Sequence, residues 1–100
     1  MSTFQQIIQD PKPVLIDFYA TWCGPCKMMP PILTQLKEKM GENLRIIKID
    51  VDKNPEVASK YQIRGVPTLM LMRESKVLWK QSGVQEVNVL KQTIEQHLEI

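Results

Sequence analysis

Cysteine is scarce in this chain: there are only two in 100 residues, Cys23 and Cys26, with a two-residue gap between them. A pair that close cannot staple distant parts of a fold, so the disulfide framework of a small secreted domain is excluded. Such a pair supplies at most half of a structural zinc site. The chain has no third cysteine and one histidine, His97 near the C-terminus, so no metal is expected. Long apolar runs are also missing, since none approaches the roughly 18 residues of a membrane span. The N-terminal stretch Met1 to Gln6 lacks a basic segment followed by an apolar one, so a cytoplasmic protein without membrane contact is expected. Charge of one sign is not concentrated anywhere: the formal net charge is +2, and no block of about five like charges marks a nucleic-acid or membrane-surface partner. Internal repeats, low-complexity segments and nucleotide-binding glycine loops are absent, and no cofactor is expected.

What the chain does have is a 43% hydrophobic content, enough for one buried core, so a single domain over residues 1–100 is expected. Val14 to Ala20, Leu44 to Val51 and Thr68 to Met72 are short apolar runs rich in strand formers, and Val77 to Ser82 adds a fourth. Their continuous rather than alternating character predicts strands covered on both faces. Helical candidates lie between and around them: Thr3 to Gln9, Gly24 to Met40 ended by Gly41, Pro55 to Tyr61 with Asn54 as N-cap, and Glu86 to Leu98. In the last of these Val87, Leu90, Ile94 and Leu98 form one apolar face. Alternation of strand and helix predicts an α/β sheet. Pro31 is expected to kink the long helix, and the Met28-Met29 and Met70 to Met72 stretches to fill core.

The segment Trp22-Cys23-Gly24-Pro25-Cys26-Lys27 follows a predicted strand and opens a predicted helix, the setting in which CxxC is a redox motif. Unpaired amides and the macrodipole at a helix start favour an anion by roughly 0.3 to 2 kcal/mol, which raises the thiolate fraction of Cys23. Cys23 is therefore the expected nucleophile. Cys26, one turn later and less exposed, is the expected resolving thiol. Pro25 suits the first turn, where its missing N–H costs nothing, and Gly24 leaves room for a substrate backbone.

Together with Asp17, Arg64-Gly65-Val66-Pro67-Thr68, Asp52, Pro55 and Gly83, this motif closely resembles the thioredoxin family over nearly the whole chain. The resemblance implies the thioredoxin fold, a central mixed sheet with helices on both faces. It also implies a protein-disulfide reductase that acts on disulfide-containing substrate proteins and is recharged by an NADPH-dependent thioredoxin reductase. Within it, Asp17 corresponds to a buried carboxylate. Desolvation raises the pKa of such a group, so Asp17 is expected to take the Cys26 proton, with Lys48 on the neighbouring strand pairing with it and pulling that pKa down. Val66–Pro67 corresponds to a cis bond facing the dithiol, where Val66 main-chain groups receive an extended substrate. Trp22, Gly24, Pro25, Val66, Pro67, Gly83 and Val84 then make up the substrate-binding surface.

Among the ways in which the sequence departs from the family, two bear on the fold. The stretch before Asp17 is several residues shorter than is usual and no strand-like run precedes the helical candidate Thr3 to Gln9, so the family's first strand is expected to be missing and Leu44 to Val51 to form a sheet edge. A monomer is expected in preference to a dimer paired along that edge. The hairpin Arg73-Glu74-Ser75-Lys76 lacks a turn glycine. Two rival functions compete with the reductase. An oxidase or isomerase commonly carries a histidine between its cysteines, whereas this chain has Gly24-Pro25; a binding module without turnover would have no need of intact Cys23, Cys26, Asp17 and Pro67.

Overall fold

The four runs rich in strand formers become β1 (Val14–Tyr19), β2 (Arg45–Asp50), β3 (Thr68–Arg73) and β4 (Lys76–Ser82) in a computed structural model that describes residues 3–99. Met1, Ser2 and Ile100, which belong to the N-terminal stretch and the domain span considered above, lie outside the described residues. The strands form one sheet in the order β2-β1-β3-β4, with β1 parallel to β2 and antiparallel to β3, and with β3 and β4 joined as a hairpin. The α/β expectation therefore holds, as a mixed sheet. Among the described residues no strand precedes β1, so β2 is an edge, as the short N-terminal stretch suggested.

Helices α1 (Phe4–Ile8), α2 (Met29–Met40), α3 (Pro55–Lys60) and α4 (Val87–Leu98) cover the sheet. Strand parity divides β1 between two cores. Leu15, with Leu69 and Leu71 of β3, packs under Met29, Leu33 and Leu36 of α2 and Leu90, Ile94 and Leu98 of α4. Val14, Ile16 and Phe18, with Met70 and Met72, pack on the other face against Phe4, Ile7 and Ile8 of α1 and Val57 of α3. Each large side chain taken fully out of water there contributes roughly 1.5–3 kcal/mol. Double coverage is why the β1 run is continuously apolar. Its one exception is Asp17, which shares the α2 face with Leu15.

Each helix is set by local chemistry. Thr3 and Gln6 exchange side-chain-to-amide hydrogen bonds of 2.9 and 3.2 Å, a capping box that starts α1. The Glu86 carboxylate accepts from the amides of Asn88 and Val89, both at 3.1 Å, and starts α4. Gly41, at φ +58°, ends α2 in a conformation that suits glycine.

Three local expectations are corrected. The helix predicted over Gly24 to Met40 is two pieces, a 3-10 turn at Pro25–Met28 and then α2. Pro30 and Pro31 have no N–H to return to Cys26 and Lys27, so the α-type ladder starts only at the prolines, and the expected kink becomes a change of helix type. Asn54 makes no side-chain cap: its Nδ2 donates to the Asp50 carbonyl at 3.0 Å, while Asp50 Oδ1 accepts from the amides of Asp52 and Lys53. Met28 is exposed, whereas Met29, Met70 and Met72 fill core as expected. The β3–β4 turn is closed without glycine by Glu74 and Ser75 at φ 51° and 68°. Their amides donate to the carbonyls of Asp10 and Ile8, which ties the turn to the end of α1.

Candidate active site

The C-terminal ends of the parallel strands β1 and β2 point the same way, and the loops that leave them meet the loop entering β3. Ala20, directly after β1, packs against Cys23 and Cys26, with Tyr19, Val51 and Val66 around them. The two cysteines are joined as a disulfide, with Cα atoms 5.3 Å apart. The Cys26 amide donates to Cys23 Sγ at 3.2 Å, and that sulfur lies 3.6 Å from the Val66 carbonyl oxygen. A donor aimed at Cys23 Sγ stabilises negative charge there when the disulfide opens. The expected difference in exposure is absent from the disulfide form: Cys23 and Cys26 are 4% and 5% exposed. Residue burial therefore does not distinguish the two sulfurs; the amide donor and the facing loop, both at Cys23 Sγ, are what differs between them.

Asp17 lies three residues before Ala20, on the face that the dithiol turn and α2 cover. It is 1% exposed, and neither carboxylate oxygen has a hydrogen-bond partner. Burial pushes its pKa up from an ordinary 3.8 to about 6, against a smaller downward pull from the charge of Lys48. Lys48 is the strand partner of Asp17, but the expected direct ion pair is not made. Its ammonium stands over the Tyr19 ring, 5.4 Å from the centroid, so it acts on Asp17 only through its field.

On the solvent side, Trp22 is 71% exposed, and its indole Nε1 donates to Asp52 Oδ2 at 2.9 Å. Trp22, Val51, Ile63, Arg64, Gly65 and Val66 line a shallow groove of about 110 Å³ beside the disulfide. The Val66–Pro67 bond is cis, and among the described residues the Val66 N–H has no hydrogen-bond partner. Gly83, at φ 98°, donates its amide to the Pro67 carbonyl at 2.8 Å. Thr68 Oγ1 donates to the Gly65 carbonyl at 2.6 Å and lies 3.0 Å from Ser82 Oγ, which fixes the loop from beneath. Gly24 and Pro25 are exposed above the dithiol, and no atom lies within 4 Å of where a Gly24 Cβ would stand. Val84 is half-buried and packs on the α2–α4 core.

Sequence reasoning gave Asp52 no role, nor Ile63, Arg64, Thr68 or Ser82. The available signal was topological: loops at the carboxyl ends of adjacent parallel strands converge, which places Asp52 beside Trp22.

A model of the thioredoxin family matches residues 1–96. The chain belongs to the thioredoxin family. It is 44% identical over 91 residues to a thioredoxin-like protein of Synechocystis sp., a match covering 91% of this chain and 87% of that one. It is 42% identical over 100 residues to the chloroplastic thioredoxin Y of rice, covering 99% of this chain and 60% of that protein's length. Among solved structures, a mutant thioredoxin from Halobacterium salinarum superposes with a TM-score of 0.85 at 38% identity, over 100% of this chain and 89% of that one. Thioredoxin-family members are thiol–disulfide oxidoreductases, and with Cys23 and Cys26 at bonding distance this chain is one too.

Proposed function

We propose that this thioredoxin-family chain works in the reducing direction, transferring two electrons from Cys23 and Cys26 to disulfides of other proteins. The observation that carries the reading is the setting of the dithiol. Cys23 Sγ has an amide donor and an open apolar groove on one side, and Asp17, a buried carboxylate of raised pKa, sits on the strand that leads into the dithiol turn. The Cys23 thiolate attacks one substrate sulfur, forming a mixed disulfide and releasing the other substrate sulfur as a thiolate. Asp17, ionised above its pKa, takes the Cys26 proton. The Cys26 thiolate then attacks Cys23 Sγ, which frees the second substrate thiol and leaves the Cys23–Cys26 disulfide.

Substrate docks as an extended segment on Trp22, Val66 and the Gly24-Pro25 turn, where the free Val66 N–H gives it a main-chain donor. Pro67 and Gly83 hold that loop in place, Val84 supports it from the core, and Lys48 keeps the Asp17 pKa from rising further. One domain suffices for this cycle. The dithiol needs two electrons per turnover, and we assign their delivery to an NADPH-dependent thioredoxin reductase. The compartment must be reducing. We place the chain in the cytoplasm as a monomer, a choice favoured by the lack of structural disulfides; the rice relative is chloroplastic by name. Among the described residues no helix is long and apolar enough to cross a membrane.

The test is the equilibrium potential of the Cys23–Cys26 pair against a glutathione buffer at pH 7, together with turnover of insulin disulfides driven by dithiothreitol. A potential below that of the glutathione pool with catalysed insulin reduction is expected. A potential well above it would assign the chain to disulfide formation instead.

A further inference from the structure

A concavity well removed from the dithiol is a groove of about 760 Å³ between the edge of β2 and the outer side of α2. Its apolar floor is Pro30, Leu33 and Ile46. Four cationic residues border it, Lys12, Lys37, Arg45 and Lys48, against two acidic ones, Asp10 and Glu38. Two of the cations have partners inside the chain. Lys12 lies 3.7 Å from Glu42, and the Lys37 ammonium donates to the carbonyls of Gly41 and Leu44. Among the described residues Arg45 makes no ion pair.

The main chain of β2 adds the second observation. Arg45 N donates to Pro13 O at 3.0 Å and Val51 N to Tyr19 O at 2.9 Å, so the odd-numbered residues of the strand bond toward β1. In a parallel ladder the alternate residues point the other way, which turns the N–H and C=O of Ile46 and Lys48 outward. Both ends of this edge are closed within the chain. The Leu44 carbonyl takes the Lys37 ammonium, and the Asp50 carbonyl takes the Asn54 amide at 3.0 Å. Between them, among the described residues, lies a two-residue stretch of unpaired main chain, next to an apolar floor and inside a net positive rim.

We propose that this edge and groove form a second docking site, separate from the dithiol, for an extended acidic polypeptide segment of a partner protein added as a strand beside β2. Main-chain donors and acceptors select an extended polypeptide, and the surplus of cations selects its charge. The same surplus of cations opposes pairing with a second copy of this chain, which would bring two like-charged rims together. The site does not depend on the redox reading, and insulin reduction serves as its independent control.

The test uses the intact protein, 15N-labelled, titrated with a capped seven-residue peptide of alternating Glu and Val and with its Lys and Val counterpart. Saturable shifts of the Ile46 and Lys48 amides with the Glu peptide alone are expected. They should weaken as salt rises from about 0.01 to 0.1 M, over which the screening length falls from roughly 30 to 10 Å. Lys12→Glu combined with Arg45→Glu should weaken binding at least about threefold and leave insulin reduction unchanged. Ile46→Pro, which removes one outward donor, should weaken it too; if that variant unfolds, the charge-reversed variant alone decides. Equal binding of the Lys peptide, shifts confined to Trp22 and Val66, or a protein mass that rises with concentration while the edge amides broaden would each overturn the proposal.

Discussion

Replacing Asp17 with asparagine should stabilise the protein, by an amount that depends on pH. In the folded chain Asp17 is buried with both oxygens unpartnered, and its pKa stands at about 6 rather than 3.8. Between those values the folded state holds a proton that the unfolded state has released, so stability falls as pH rises through that window. The loss is complete above about pH 7. A pKa raised from 3.8 to about 6 corresponds to about 3 kcal/mol. Asparagine has the shape of the protonated acid and never ionises. Asp17→Asn should therefore match the parent near pH 4 and exceed it by about 3 kcal/mol at pH 8. Urea unfolding followed by Trp fluorescence at pH 4, 6 and 8 measures the gap. A gap that does not change between pH 4 and pH 8 would refute desolvation as the dominant influence on this group.

In activity, the same substitution should slow resolution of the mixed disulfide, by up to roughly a hundredfold at pH 7, seen as accumulation of the substrate adduct in quench-flow. Cys26→Ser should trap that adduct irreversibly, whereas Cys23→Ser should form none, and mass spectrometry separates the two. Ser75→Gly should stabilise the β3–β4 turn by about 0.5–1 kcal/mol, because glycine adopts the φ of 68° seen there without steric cost. Glu86→Ala should cost about 1 kcal/mol in chemical denaturation by leaving the Asn88 and Val89 amides without their cap.

Much of the fold was legible because the hydrophobic pattern and the architecture require the same thing. The run from Val14 is uninterrupted because β1 lies between two strands and under two layers of helix, and Asp17 stood out in it because a carboxylate there has no ordinary reason to exist. Cys23 and Cys26 were legible as a pair from their spacing and from the strand before them. The misreadings all involve local competition. Periodicity extended a helix back to Gly24, but the missing amides of Pro30 and Pro31 outweighed it. Asn54 has the composition of a cap, yet its side chain donates through Nδ2 to the Asp50 carbonyl and accepts from none of the first amides of α3. Lys48 was matched to Asp17 by charge, and register did align them, but the Tyr19 ring holds the ammonium. The Trp22–Asp52 contact, whose ends are thirty positions apart in the chain, depends on loop convergence that no local pattern encodes.

The adjacent prolines at the head of α2 also shape how the redox centre moves. Pro31 cannot reach back to the Lys27 carbonyl, and Pro30 leaves the Cys26 carbonyl to the 3-10 bond from Met29. The dithiol turn and α2 are thus consecutive in sequence but belong to separate hydrogen-bond ladders. Opening or closing the disulfide requires the turn to adjust, and that adjustment stops at the prolines instead of running down the helix into the core beneath Met29, Leu33 and Leu36. Amide exchange at Cys26 and Lys27 then reports a small local fluctuation, while Leu36 and Met40 exchange only with unfolding of the sheet they cover. The helix is packed on the sheet, and the chemistry sits at its end on a short turn with its own hydrogen bonds.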